Sequence, residues 1–186
     1  MGHSGNVIAE LTTDHREVEE LFRTIQTLPS GDEQRRKVAD EFTIELVRHS
    51  VAEEQYLYPA VRELVPGGAE LADKELADHA QVEKMLKELE GTDVGDARFD
   101  VLVERLIAEV SEHVRDEEEN LFPALADVCS PEQLDKLGDK VRTAKKTAPT
   151  RPHPSAPDTP PGNKLLAPGT GLVDRARDFV TGRGKS

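Results

Sequence analysis

Four histidines and two glutamates recur along this chain at intervals that suit metal coordination. His49 to Pro59 reads HSVAEEQYLYP and His113 to Pro123 reads HVRDEEENLFP, so a His, a Glu four residues later, a Leu, an aromatic residue and a Pro repeat at an offset of 64 residues. The same offset relates Asp14-His15 to Asp78-His79, each followed by Val and Glu. Of the six histidines, four occupy these repeated places, and His3 and His153 lie in the tails. In a helix, residues i and i+4 stand about 6 Å apart along the axis and point the same way, so His49 with Glu53, and His113 with Glu117, can each address one shared point. Imidazole and carboxylate donors together suit non-haem iron, manganese or zinc.

The elements that carry these residues read as helices. The first runs from about Asn6, as N-cap, to Leu28, with an apolar seam of Ile8, Leu11, His15, Val18, Phe22 and Ile25. The second begins near Asp32 and carries Ala39, Phe42, Leu46, His49, Glu53, Tyr56 and Ala60 on its inward line. Pro59 should kink or end it, and Pro66-Gly-Gly should stop it. The third, about Glu70 to Glu90, repeats the first with Ala72, Glu75, His79, Val82, Leu86 and Leu89. The fourth, from near Asp96, repeats the second with Phe99, Val103, Leu106, Val110, His113, Glu117, Asn120 and Ala124. Ser130-Pro131 opens a short fifth helix to about Lys146. The fold expected is all-α, an antiparallel up-and-down four-helix bundle with a short extra helix. Residues 1–146 form this body, 147–170 a Pro-rich, mobile linker, and 171–186 a basic amphipathic segment, so the C-terminal tail is expected to be largely disordered.

Composition narrows the partners. The net charge of -13 disfavours nucleic acid and anionic membranes. Residues 142–186 hold nine Lys/Arg and three Asp, a net of +6 that leaves -19 on the rest, so the tail can fold back onto the body. A single cysteine, Cys129, excludes an internal disulfide framework and reads as a small apolar residue. No apolar run approaches a signal sequence or a membrane span, and a cytoplasmic protein, monomeric or weakly self-associating, is the expectation.

Surface ion pairs are the plain alternative to a metal site, because the chain is rich in Glu and charged helix faces are usually solvated. Placement argues for metal. Glu53 and Glu117 interrupt apolar seams, where an unpaired carboxylate costs several kcal/mol and two facing carboxylates repel. Four histidines and two carboxylates exceed the ligand set of one tetrahedral zinc and point to two metal ions. The Glu-x-x-His motif of ferritin-like di-iron bundles is absent, since Thr12, Leu46, Leu76 and Val110 stand three residues before the histidines. Tyr56, three residues after Glu53, can be read as an iron ligand or hydrogen-bond donor to a bound oxygen species, or as a core-capping residue matching Asn120. Tyr58, matching Phe122, reads as packing.

A lone His on the first helix, with His-x-x-x-Glu on the second and fourth, resembles the hemerythrin-like (HHE cation-binding) family over roughly residues 6–130. That resemblance implies an oxo- or hydroxo-bridged pair of non-haem iron ions. His15 and His49 would bind one, His79 and His113 the other, and Glu53 and Glu117 would bridge. Where the family's third helix commonly carries His-x-x-x-His, this chain has His79-x-x-x-Glu83. Either Glu83 stands in for the missing imidazole or, like Glu19 on the first helix, it makes a surface ion pair. The resemblance further implies a protein that reacts with hydrogen peroxide, nitric oxide or dioxygen, in the manner of a catalase- or peroxidase-like oxidoreductase in oxidative stress. The alternatives are non-enzymatic oxygen binding, and iron or redox sensing or storage.

Overall fold

The computed structural model describes residues 5–184, and His3 lies outside them. Every regular element among the described residues is helical. Helix α1 spans Val7–Thr27, and Asn6 caps it, its Oδ1 accepting from the Ala9 N–H at 3.0 Å. Helix α2 spans Glu33–Ala52 behind an Asp32 cap, and passes through a π turn, Glu53–Leu57, into α3, Tyr58–Leu64. Gly67, at φ 74°, supplies the left-handed residue that turns the chain into α4, Gly68–Gly91. Helix α5, Ala97–Asp116, repeats the pattern of α2, with a second π turn, Glu117–Leu121, leading into α6, Phe122–Val128. Helix α7, Pro131–Thr147, opens with a Ser130/Gln133 capping box and packs on α1 and α2. None of these helices is long and apolar enough to cross a membrane.

The two π turns have a common cause. Pro59 and Pro123 sit just after them and have no N–H to donate back along the helix. The wider turn, in which the Tyr58 and Phe122 N–H groups reach the carbonyls of Glu53 and Glu117 five residues back, absorbs the break without ending the helix. One residue is thereby added to the turn, and the inward line moves by one. The seam expected at Tyr56 and Ala60 is in fact Leu57 and Val61, and that expected at Asn120 and Ala124 is Leu121 and Leu125, all four fully buried.

Two apolar clusters fill the interior. Along α1, Val7 and Leu11 belong to one, Val18, Phe22 and Ile25 to the other, and His15 lies between them. The site is thus sealed by apolar packing on both sides.

The tail differs from the expected disordered segment. After Ala148 the chain runs along the body as a strap to Pro161, and α8 then spans Gly162–Thr181, beginning well before the expected linker ends. Tertiary anchors explain the helix where composition argued against one. Asp174 Oδ2 accepts from the backbone N–H groups of Thr150 and Arg151 at 3.2 Å and from His153 Nε2 at 2.9 Å. The expected electrostatic return also occurs: Arg151 pairs with Glu90 at 2.7 Å and Arg183 with Asp40 at 3.2 Å.

Candidate metal centre

The packing of α1, α2, α4 and α5 brings His15, His49, Glu53, His79, His113 and Glu117 to one buried place. Donor atoms of His15, His49, Glu53 and Glu117 all lie within 4.8 Å of one another, as do those of Glu53, His79 and His113. The imidazoles come in pairs, His15 Nε2 being 3.2 Å from His49 Nε2 and His79 Nε2 3.2 Å from His113 Nε2. Each carboxylate reaches across the pairs. Glu53 Oε2 is 3.1 Å from His49 and 3.4 Å from His79, while Glu117 Oε2 is 3.3 Å from His15 and 3.7 Å from His113.

The outer nitrogens are held by a ring of acids that sequence reasoning missed. His15 Nδ1 donates to Glu118 at 2.8 Å and His79 Nδ1 to Glu54 at 3.1 Å, so the second Glu of each repeated Glu-Glu pair serves the opposite half. The signal was present in that doubling. His49 Nδ1 donates to Asp14 at 3.2 Å. His113 Nδ1 instead contacts the fully buried Glu75 at 2.7 Å, because Asp78, the counterpart of Asp14, turns out to Lys74. Acids behind metal-binding imidazoles fix ring orientation and leave the inner nitrogens for the ion.

Of the two readings of Tyr56 the structure favours the core-capping one, since its ring packs against the apolar cluster that holds Leu57 and Val61. Tyr56 is only half-buried and lies beneath the Lys164 ammonium, 4.4 Å from its ring centre, away from the histidine and glutamate cluster. Tyr58 is the phenol at the site: it donates to Glu117 Oε1 at 3.0 Å and lies 2.9 Å from His79 Nε2. The added residue of the π turn is the reason. Glu83 accepts from the His153 N–H of the strap at 2.8 Å and takes no part in the cluster.

Charge at the site is internally compensated. Burial opposes a charged His49, yet Glu53 and Asp14 hold its pKa up at about 10. His79 is likewise raised against burial, by Glu53 and Glu54. Glu53 is held well below the usual carboxylate range by His49 and His79 despite its burial. Burial, then Glu117, push the Tyr58 phenol well above its ordinary value, so it keeps its proton.

The donor set fits a metal ion. Glu53 Oε1 and Glu117 Oε2 are buried and accept no hydrogen bond among the described residues, an expense that a cation at these atoms removes. Beside the four imidazoles a small cavity of about 20 Å³, lined by Val18, Leu46, Val82, Val110 and Val114, has room for one water-sized molecule.

Comparison with known proteins agrees with this geometry. The profile of the Hemerythrin HHE cation binding domain matches residues 6–125. The chain is 29% identical to an uncharacterised hemerythrin-like protein of Schizosaccharomyces pombe, over 90% of this chain and 82% of that one. It is also 29% identical to a DNA nickase of Nostoc, over 75% of this chain but only 39% of the nickase. The crystal structure of a hemerythrin HHE cation binding domain-containing protein from Mycobacterium kansasii is similar with a TM-score of 0.67 and 26% identity, covering 76% of this chain and 85% of that one. With a buried cluster of histidines and glutamates that could hold a metal ion, this chain belongs to the hemerythrin HHE cation-binding family.

Proposed function

We propose that α1, α2 with α3, α4, and α5 with α6 form the up-and-down bundle of a non-haem di-iron protein that consumes hydrogen peroxide. In this reading His15 and His49 hold one iron, His79 and His113 the other, and Glu53 and Glu117 join them. The carrying observation is that each buried carboxylate lies within reach of an imidazole from both pairs. Imidazole and carboxylate are donors suited to non-haem iron.

When bound, the iron pair supplies the electron transfer needed to dismutate two peroxide molecules to dioxygen and two waters. The protein's own groups do the rest. Val18, Leu46, Val82 and Val110 bound a cavity sized for one small neutral molecule and exclude bulk water. The Tyr58 hydroxyl holds a proton between Glu117 Oε1 and His79 Nε2, where it would be placed to hydrogen-bond a small molecule held at the imidazoles. Glu54, Glu118, Asp14 and Glu75 keep the imidazoles aligned.

The apolar lining of the cavity also favours a second reading, reversible binding of a diatomic gas. An oxygen electrode separates the two. Sustained dioxygen release from peroxide by the iron-loaded protein, absent in His113→Ala, is expected. A protein that retains two irons per chain yet releases none would be a carrier or sensor instead.

A further inference from the structure

Helix α8 is docked by its polar side. Its buried positions are Asn163, Ala167, Gly171, Asp174 and Asp178, whereas Leu165, Leu166, Leu172, Val173 and Val180 are between 53% and 82% exposed. The helix cannot roll to hide them. Asp174 anchors the strap as described, Asp178 Oδ1 pairs with Arg151 at 2.7 Å, and a Cβ on Gly171 would stand 2.3 Å from the Thr147 carbonyl oxygen. The exposed stripe repeats every seven residues: Leu165 with Leu172, and Leu166 with Val173 and Val180, flanking the small Gly169 and Ala176. Seven-residue spacing is what a helix shows when it packs lengthwise against another helix.

We infer that α8 is the surface through which two copies of this chain associate, helix against helix. The five branched side chains present on the order of 500 Å² of apolar surface, at the upper end of what a monomer leaves in one patch. With their borders they approach the ~800 Å² per partner of a standard interface. A lipid surface is a poorer occupant. The chain carries a net charge of -13, and Glu17, Glu20, Glu41 and Glu45 border the groove beside α8. Of the described cations on or just after α8, Arg175 donates to the Ala148 carbonyl oxygen at 3.0 Å, Arg183 pairs with Asp40 at 3.2 Å and Lys164 lies over the Tyr56 ring, which leaves Arg177 alone to direct at phosphates.

Sedimentation velocity on the full-length, iron-loaded protein tests this. The wild type is expected at twice 20.5 kDa, and the Leu172→Glu/Val173→Glu variant at the single-chain mass, its dimer constant weakened about 100-fold or more, with unchanged helical circular dichroism and iron content. Leu165→Glu/Leu166→Glu, at the other end of the stripe, should behave alike. A wild type that stays single-chain at several hundred micromolar overturns the inference, as does a dimer that survives both variants. A single-chain wild type that floats with phosphatidylcholine/phosphatidylserine vesicles, where the variants do not, also overturns it and assigns the stripe to lipid.

Discussion

Tyr58 stands beside His79 as Phe122 stands beside His15, the ring centres 5.2 and 5.7 Å apart, and only the tyrosine brings a hydroxyl into the cluster. The two halves of the repeat are therefore alike in their imidazoles and carboxylates but unlike in the one group able to move a proton. The second difference serves the same pair of imidazoles, His79 and His113, where buried Glu75 supports His113 in place of the aspartate that serves His49.

Tyr58→Phe makes the halves alike. Iron content should be retained, and thermal stability of the iron-free protein should fall by about 1–3 kcal/mol, because Glu117 Oε1 loses a buried donor. Peroxide turnover should drop at least about 100-fold, the low end for loss of a positioned proton donor. Tyr56→Phe, beneath Lys164, should change neither. Equal losses in the two variants would return the role to Tyr56.

Glu53→Gln or Glu117→Gln should abolish retention of the iron pair, since each carboxylate lies between imidazoles of both pairs. Glu19→Ala should keep it, because Glu19 pairs with Arg16 at the surface. Iron per chain after anaerobic loading and desalting reads the difference.

Much of this was legible in the chain. An offset of 64 residues marks the four histidines and two glutamates without any structure; Asn6 and Ser130 cap the helices they were expected to cap, and Asp32 and Asp96, near which helices were expected to begin, cap theirs. What was lost was phase. Pro59 and Pro123 signalled a break in the hydrogen bonding, but not that a π turn would carry the helix through it. Restarting the seam one residue later would have selected Leu57, Val61, Leu121 and Leu125, more apolar than the residues expected inside, and with them Tyr58. The amphipathic segment of the tail was legible, but not the start of its helix at Gly162 or its docking by the polar side: contacts of Asp174 and Asp178 with Thr150 and Arg151, distant in sequence, hold it.

Glu75→Gln should weaken metal retention about 10- to 100-fold by releasing His113, the usual effect of losing an acid behind a metal-binding imidazole. Asp78→Ala should be neutral although it removes the sequence counterpart of Asp14, since Asp78 faces Lys74 at 2.9 Å. Iron titrations of the two variants, compared with Asp14→Ala, check whether support of the imidazole follows position in space or position in the repeat.

The strap should loosen in acid. Burial works against the Glu90 charge, yet Lys87 and Arg151 hold its carboxyl below the ordinary value of 4.5. A carboxyl depressed on folding contributes stability that is present above its unfolded pKa and is lost as pH falls through the lower folded value. Backbone hydrogen exchange in α8 should therefore be faster in Glu90→Gln than in wild type at pH 7, and the two should converge as the pH falls through the lowered folded-state value of Glu90. Asp174→Ala, which frees the Thr150 and Arg151 amides and His153, should speed exchange in α8 at either pH while leaving α1 and α5 protected. The strap residues Pro149, His153 and Pro157 line a crevice that reaches Glu54, the acid behind His79. Asp174→Ala should accordingly alter the rate at which an external chelator removes iron, and an unchanged rate would separate the strap from access to the metal.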